Sequence, residues 1–367
     1  MKIAPFSIEE FFAVYEFTTP YVLCASDCES MTVGELLALA GRDMAALDGL
    51  RLGYTESQGQ PELRAQIAAL YAGITAAEVV SLSAPEEGIY IAMRALLEPG
   101  DHVVVLTPAY ESLLNLAEHV SGNVDKWEVE AGNGRWQINL SRLESLVTDK
   151  TRLIVVNFPH NPTGFLPTPE EFQAIIEIAR RRGIWLFCDE MYRGLEGNGR
   201  SPLPSAVTQY ERAIILSGLS KAHGLPGLRS GWLIVRDEAV RRELINWKFY
   251  TTICSAAPSE FLAQAALQVH EQLTARSRKI IHDNLQLAEA FFARRPDLFV
   301  WRWPAAGSVA LVGLHVPSAE AYCRRLARES GVLLLPSTRL GYGDGHVRMG
   351  FGRLNFRECL AQLELSL

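Results

Sequence analysis

Short apolar, β-branched runs alternate with helical stretches through the middle of the chain. The run 102–106 (HVVVL) follows the turn Glu98-Pro-Gly-Asp101. Runs 153–158 (LIVVNF), 184–188 (IWLFC), 213–216 (AIIL) and 231–235 (GWLIV) follow at intervals suited to βα units. Strands this uniformly apolar belong to a sheet covered on both sides. The pattern therefore predicts an α/β protein, with a mostly parallel central sheet and helices on both faces. Thr168-Pro-Glu-Glu171 combines an N-cap, a first-turn proline and a capping-box glutamate, and predicts a helix running to Gly183. An earlier helix, 61–71, ends likewise before Gly73.

From Ser259 to Arg295 there is neither glycine nor proline, a stretch of 37 residues. One unbroken helix of that length would run about 55 Å, longer than a single domain. Two helices with a tight break satisfy the pattern, but a helix crossing from one domain to the next fits it better. The boundary is placed near residue 275. The predicted organisation is an N-terminal segment 1–45, a large domain 46–275 and a smaller α+β domain 276–367. The last carries candidate strands at 309–313 and 347–350, and the N-terminal segment packs against it.

Composition narrows the class. The chain has 367 residues, 48% of them hydrophobic, and a formal charge of −7 from 35 basic and 42 acidic side chains. That is the composition of a globular protein with ample core. Mild acidity argues against nucleic acid and anionic membranes as partners. No apolar run reaches the ~18 residues of a membrane span, and Glu9 and Glu10 interrupt any signal-peptide core. The six cysteines form no CxxC pair, which excludes a disulfide scaffold or a structural zinc site and predicts no metal. A cytoplasmic enzyme is the expectation.

In a wound sheet, ligands bind beyond the carboxyl ends of the strands. After LIVVNF comes Pro159-His-Asn161-Pro-Thr-Gly164, after IWLFC comes Asp189-Glu-Met-Tyr192, and after AIIL comes Ser217-Gly-Leu-Ser220-Lys221. An amide, a carboxylate and an amine thus arrive at one edge. Lysine is scarce, with six in the chain, and only Lys221 lies just past a strand end. Partial desolvation there lowers an amine's pKa and prepares it to attack a carbonyl; a solvated turn lysine is the plainer reading. Asp189, closing an apolar run, calls for a cation such as a protonated pyridine nitrogen, or else caps the next helix. Tyr192 and Asn161 can hydrogen-bond a phenolate oxygen. Arg229 can carry a phosphate charge or be an ordinary surface residue.

Tyr54…Gly59…Leu63-Arg64, Pro108-x-Tyr110, Asn161-Pro-Thr-Gly164, Asp189-Glu-x-Tyr192 and Ser220-Lys221-x-x-Gly-Leu-Pro-Gly-Leu-Arg229-x-Gly231 occur in this order. Together they resemble the class I/II aminotransferases, which are fold-type I pyridoxal-phosphate enzymes, from about residue 50 to Arg348. The resemblance implies pyridoxal 5′-phosphate as cofactor and transfer of an amino group between an α-amino acid and a 2-oxo acid through a Schiff base on Lys221. It implies that Lys221 also shuttles a proton and that Asp189 keeps the ring nitrogen protonated. Tyr192 and Asn161 would bond the ring oxygen, Tyr110 would stack on the ring, and Arg229 would hold the phosphate. Tyr54 would reach the phosphate of a neighbouring subunit, making a homodimer with shared sites. Arg348 matches the arginine that grips the substrate carboxylate, although Arg353 lies close by.

Two places depart from the family pattern. A serine that contacts phosphate in many members is Gly218 here, leaving Ser217 and Ser220 for that role. The glycine-rich phosphate turn is replaced by Ser83-Ala84-Pro85-Glu86-Glu87-Gly88, where Pro85 has no N–H to offer and Glu86 is repulsive unless it points away. The same constellation serves β-elimination, β-replacement or cyclisation of a modified amino acid, which is the alternative activity. A nicotinamide or adenosylmethionine enzyme would need a glycine-rich turn after the first strand, and none is present. A sensor protein built on this fold would need an added basic DNA-binding domain. The side-chain pocket is expected to draw on 21–26, on Tyr110, and on Tyr250-Thr-Thr-Ile253 across a dimer.

Overall fold

The computed structural model describes residues 3–132, 134–197 and 199–367; Lys2 lies outside them. The first strands in chain order are β1 (Tyr21–Val22), β2 (Val79–Leu82), β3 (His102–Thr107), β4 (Val124–Glu128), β5 (Glu130–Ala131), β6 (Trp136–Gln137) and β7 (Thr151–Asn157). Then follow β8 (Trp185–Asp189), β9 (Ala213–Gly218), β10 (Gly231–Val235), β11 (Phe299–Val300) and β12 (Val309–Leu314). The last are β13 (Val332–Leu333), β14 (Leu335–Pro336) and β15 (His346–Gly350).

Seven of them form the central sheet, in the order β2-β10-β9-β8-β7-β3-β4. Pairing is parallel from β9 through to β4, while β10 runs antiparallel to both β9 and β2. The apolar runs at β3, β7, β8, β9 and β10 are buried almost throughout, as expected of strands with helices on both faces. Register aligns their ends: Asn157 on β7 stands opposite Asp189 on β8, and Asp189 opposite Leu216 on β9.

The helix Pro169–Arg182 shows how local sequence sets these boundaries. The Thr168 side chain accepts from the Glu171 N–H while Glu171 reaches back to the Thr168 N–H, closing the expected capping box. Such a cap is worth about 1 kcal/mol. Gly183 ends the helix at φ 62, a left-handed conformation that disfavours side chains. The helix predicted over 61–71 is shorter, Pro61–Ala68, and its remaining residues form turns.

The glycine-free stretch is two helices, Ala257–Gln268 and His270–Ala293, broken at Val269. This corrects the preference for one unbroken helix. Val269 leaves helical geometry at φ −116, ψ 26, and its N–H returns to Ala266. The longer helix does pass between cores. Leu273 packs in the core of the large sheet, whereas Ile281, Leu285, Phe291 and Phe292 pack with Phe299, Ala310 and Val312 of a second sheet. That sheet has the order β11-β12-β15-β14. The N-terminal segment packs beside it, and β1 pairs in parallel with β13 as a separate two-stranded sheet. At Gly350 a Cβ would come within 1.7 Å of the Ala25 carbonyl oxygen, so residues 21–29 lie hard against the end of β15.

Candidate active site

The carboxyl ends of β7, β8 and β9 open into one cavity lined by Ser26, Pro85, Glu86, Tyr110, Asn161, Asp189, Tyr192, Ser220, Lys221 and Arg229, among others. The residues that sequence reasoning placed at one sheet edge are therefore brought together. Lys221 lies in the turn after β9 and donates from Nζ to the Ser26 hydroxyl at 2.8 Å. Burial lowers its pKa, and the Arg348 charge lowers it further against the opposing pull of Asp27. A larger share of neutral amine results, which is the nucleophilic form.

Asp189 ends β8 with 5% of its surface exposed. Its Oδ1 accepts the Met191 N–H at 2.9 Å. Burial pushes its carboxyl up to about 7, although that N–H and the Lys221 charge both act the other way. A buried acid with so few partners is costly when ionised and is stabilised by a cation brought to it. Glu190, next in sequence, turns elsewhere: its Oε1 accepts from the Ser205 hydroxyl at 2.7 Å and the Ala206 N–H at 3.1 Å.

Two hydroxyls on the cavity wall, Tyr192 Oη and Ser220 Oγ, are buried with no hydrogen-bond partner among the described residues. Burial also pushes the Tyr192 phenol up, so it remains a proton donor at neutral pH. Asn161 is oriented from behind, because its N–H donates to Asn157 Oδ1 at 2.7 Å. The Asn157 amide in turn donates to the Asp189 carbonyl at 2.9 Å.

The two arginines near the end of the chain separate clearly. Arg353 Nη2 contacts both carboxylate oxygens of Asp27, at 2.8 and 2.9 Å. Arg348 is 2% exposed and donates to Asn161 Oδ1 at 3.3 Å and to the Cys24 carbonyl at 2.9 Å. Its Nε has no partner. Phe12, from the helix Ser7–Tyr15, lies against its guanidinium at 5.9 Å.

Not every predicted residue reaches the cavity of this chain. Ser217 directs its hydroxyl to the Glu190 carbonyl at 3.4 Å and does not line the cavity. Ala84 is the N-cap of the helix Pro85–Leu96, and its neighbours Pro85 and Glu86 form the wall instead. Tyr54 is 93% exposed on a separate surface cleft with Leu52, Ser83 and Cys254. Tyr250 and Ile253 are exposed as well. Arg229 is exposed at the cavity rim, with φ 49.

The departures from the usual phosphate turn have a common packing cause. A Cβ at Gly218 would meet Pro85 Cγ at 3.0 Å and the Ser230 carbonyl oxygen at 2.8 Å. A Cβ at Gly231 would meet the same Pro85 carbon at 2.9 Å. The proline ring occupies the room a side chain at 218 would need.

Sequence reasoning missed Ser26 as the partner of Lys221, and Asn157 as the residue that orients Asn161. Asn157 carried a signal, a lone polar residue closing an apolar run. Ser26 carried none, because it lies 195 positions from Lys221.

A sequence profile of the family described as aminotransferase class I and II matches residues 21–360. Capreomycidine synthase of Streptomyces vinaceus is 31% identical over 334 residues, 90% of this chain and 84% of that protein. Aspartate aminotransferase of Sulfolobus acidocaldarius is 27% identical, across 83% of this chain and 80% of its own. Among solved structures, a PLP-dependent aminotransferase from Streptococcus suis superimposes with a TM-score of 0.93 at 30% identity. That match covers 100% of this chain and 98% of the other.

Proposed function

The chain belongs to the class I and II aminotransferase family, and from that premise we propose that its cavity binds pyridoxal 5′-phosphate. On this reading the enzyme moves an amino group between an α-amino acid and a 2-oxo acid. The observation that carries the proposal is that Lys221 and the buried Asp189 face one cavity.

The residues fit the cofactor. Asp189 lacks a cation, as the partner of a protonated ring nitrogen should. Tyr192 and Ser220 have free buried hydroxyls, suited to a ring oxygen and a phosphate. When bound, pyridoxal phosphate supplies an aldehyde that joins an amine covalently and a ring that withdraws electrons from the substrate carbon. Lys221 would provide that amine, and its Nζ would carry a proton to and from the substrate carbon. Asp189 holds the proton on the ring nitrogen. Tyr192 and Asn161 would hydrogen-bond the ring oxygen, and Tyr110, on the same cavity wall, would pack against the ring. Arg229 and Ser220 would take the phosphate, whereas Ser217 and Ala84, which do not line the cavity, would not. Arg348 grips the substrate carboxylate with its two-pronged guanidinium.

We assign residues 46–275 to the cofactor-binding domain and 276–367, with 1–45, to the smaller one. Tyr54, Leu52, Tyr250 and Ile253 form the exposed face through which a homodimer would share its sites. No helix among the described residues is long and apolar enough to cross a membrane, and a cytoplasmic location is proposed.

The test is direct. Holoenzyme is expected to be yellow, and borohydride is expected to bleach it while fixing the cofactor to the peptide containing Lys221. Mixed with amino acids, it should give 2-oxo acids without free ammonia. Protein that never takes up the cofactor overturns the proposal. The similarity to capreomycidine synthase favours a second reading, β-elimination, β-replacement or cyclisation of a modified amino acid. Release of ammonia, or a cyclic product without a 2-oxo acid, would select it.

A further inference from the structure

The charges around the cavity do not balance, and the imbalance identifies a substrate class. This inference rests on the cofactor reading above. Two cations line the cavity, Lys221 and Arg229, and a third, Arg348, is buried behind it against Asn161. With the cofactor bound, Lys221 would no longer be a free ammonium, Arg229 would face a phosphate and Arg348 the substrate carboxylate. Asp189 is matched by the ring nitrogen. One acid on the wall is left over: Glu86, in the first turn of the helix Pro85–Leu96.

The groups facing Glu86 leave its charge unanswered. From the next helix the Ser112 hydroxyl donates to Glu86 Oε2 at 3.2 Å, and the Tyr110 phenol lies close to the same carboxyl. Both are neutral. Glu9, an exposed residue of the helix Ser7–Tyr15, adds a second negative charge from outside the cavity wall. Phe6 and Phe12 of the same segment touch Tyr110 and Arg348, which places that segment over the substrate end of the site. Arg229 is a cation near Glu86, but its guanidinium is turned to the Pro226 carbonyl at 3.1 Å. Glu87, by contrast, is engaged away from the cavity: it accepts the Ser83 N–H at 2.9 Å and lies 3.9 Å from buried Lys248. The unpartnered hydroxyls of Tyr192 and Ser220, 3% and 6% exposed, line the same cavity and independently mark it as built for a ligand.

We propose that Glu86, backed by Glu9, receives the cationic end of the substrate side chain, a guanidinium or an ammonium, and so selects basic amino acids. A carboxylate facing a guanidinium in a partly buried site discriminates strongly against an uncharged isostere, because that isostere leaves the acid unpaired.

The experiment compares arginine with citrulline, and lysine with norleucine, in half-reactions of the holoenzyme. The melting-temperature shift that each amino acid produces is measured in parallel. Arginine is expected to exceed citrulline in kcat/KM by at least about tenfold, and to stabilise the protein more. In Glu86→Gln that ratio falls towards one. Glu9→Gln, at an exposed position, narrows it in the same direction and keeps the test open should the first variant misfold. Equal use of arginine and citrulline by the unaltered enzyme overturns the proposal. So does a uniform loss in Glu86→Gln across all amino acids with weaker cofactor retention, which would place Glu86 against the phosphate. Protein without colour or borohydride label at Lys221 refutes the cofactor reading instead, whereas coloured protein lacking the preference refutes this inference alone.

Discussion

Arg348 on β15 donates to the side-chain oxygen of Asn161, 3.3 Å away, and so ties the small sheet to the carboxyl edge of the large one. The contact uses one prong of the guanidinium and leaves Nε without a partner. Arg353, five positions on, already has a carboxylate partner, since its Nη2 contacts both oxygens of Asp27. Arg348→Lys keeps the charge but loses the fork, so KM for the amino acid should rise by roughly 100-fold, with a smaller fall in kcat. Arg353→Ala should change KM by less than about threefold, because partly exposed ion pairs contribute little. Steady-state kinetics on both variants decides between the two arginines.

Asp189 makes stability depend on pH in a predictable direction. Its folded carboxyl titrates at about 7, against an ordinary value near 3.8. Between those values the folded state binds more protons than the unfolded one, so stability falls as pH rises through that window. Glu86, raised by burial to about 7, acts in the same sense. Between pH 5.5 and 8 the melting temperature of cofactor-free Asp189→Asn should therefore change by about 2–4 °C less in the falling direction than that of the unaltered protein. In holoenzyme a ring cation would pair with the carboxylate, and the Asp189 contribution should disappear. Calorimetry of apo and holo forms across pH checks both.

Tyr192 has a buried hydroxyl on the cavity wall, and on the proposed reading it would donate a hydrogen bond to the ring oxygen and so favour loss of the proton from the Lys221 nitrogen. Tyr192→Phe should raise the pH midpoint of the yellow band by about one unit, the equivalent of one hydrogen bond at 1.4 kcal/mol. Asn161→Ala should move it in the same direction. A spectrophotometric titration reads the shift, and an unmoved midpoint in both variants removes these residues from the ring oxygen.

Tyr54 is far too exposed to serve the cavity of its own chain. If a second subunit completes the site, Tyr54→Ala should weaken cofactor retention although no contact within the chain is lost. Mixing it with Lys221→Ala should restore activity, because one site in the mixed dimer is then intact. A chain that works alone would show neither effect.

Much of this architecture was legible because burial on both faces leaves a plain mark. The runs at β3, β7, β8, β9 and β10 could be read directly, and so could the polar residues that follow them. β2 is only four residues long and follows a short 3-10 turn, so nothing in its own sequence distinguishes it from a loop. β4, with the sequence VDKWE, is an edge strand exposed along most of its length and lacks the apolar run. The break at Val269 was hidden because no glycine or proline marks it. In the site, strand-end residues declared themselves through their position, whereas partners contributed from afar did not. Ser26 meets Lys221, and Cys24 meets Arg348, only after the N-terminal segment has folded across β15. The direction a side chain takes was equally unreadable: Ser217 and Ser220 looked interchangeable, yet only Ser220 faces the cavity.

The wedge formed by the Pro85 ring over Gly218 and Gly231 makes the phosphate turn an epistatic unit. A serine introduced at 218 would strike both that ring and the Ser230 carbonyl, so it cannot be accommodated without rebuilding its surroundings. Any effort to graft the conventional turn onto this scaffold has to exchange 84–86 and 218 together and also shift the Ser230–Gly231 backbone, since that backbone crowds position 218 as closely as the proline does.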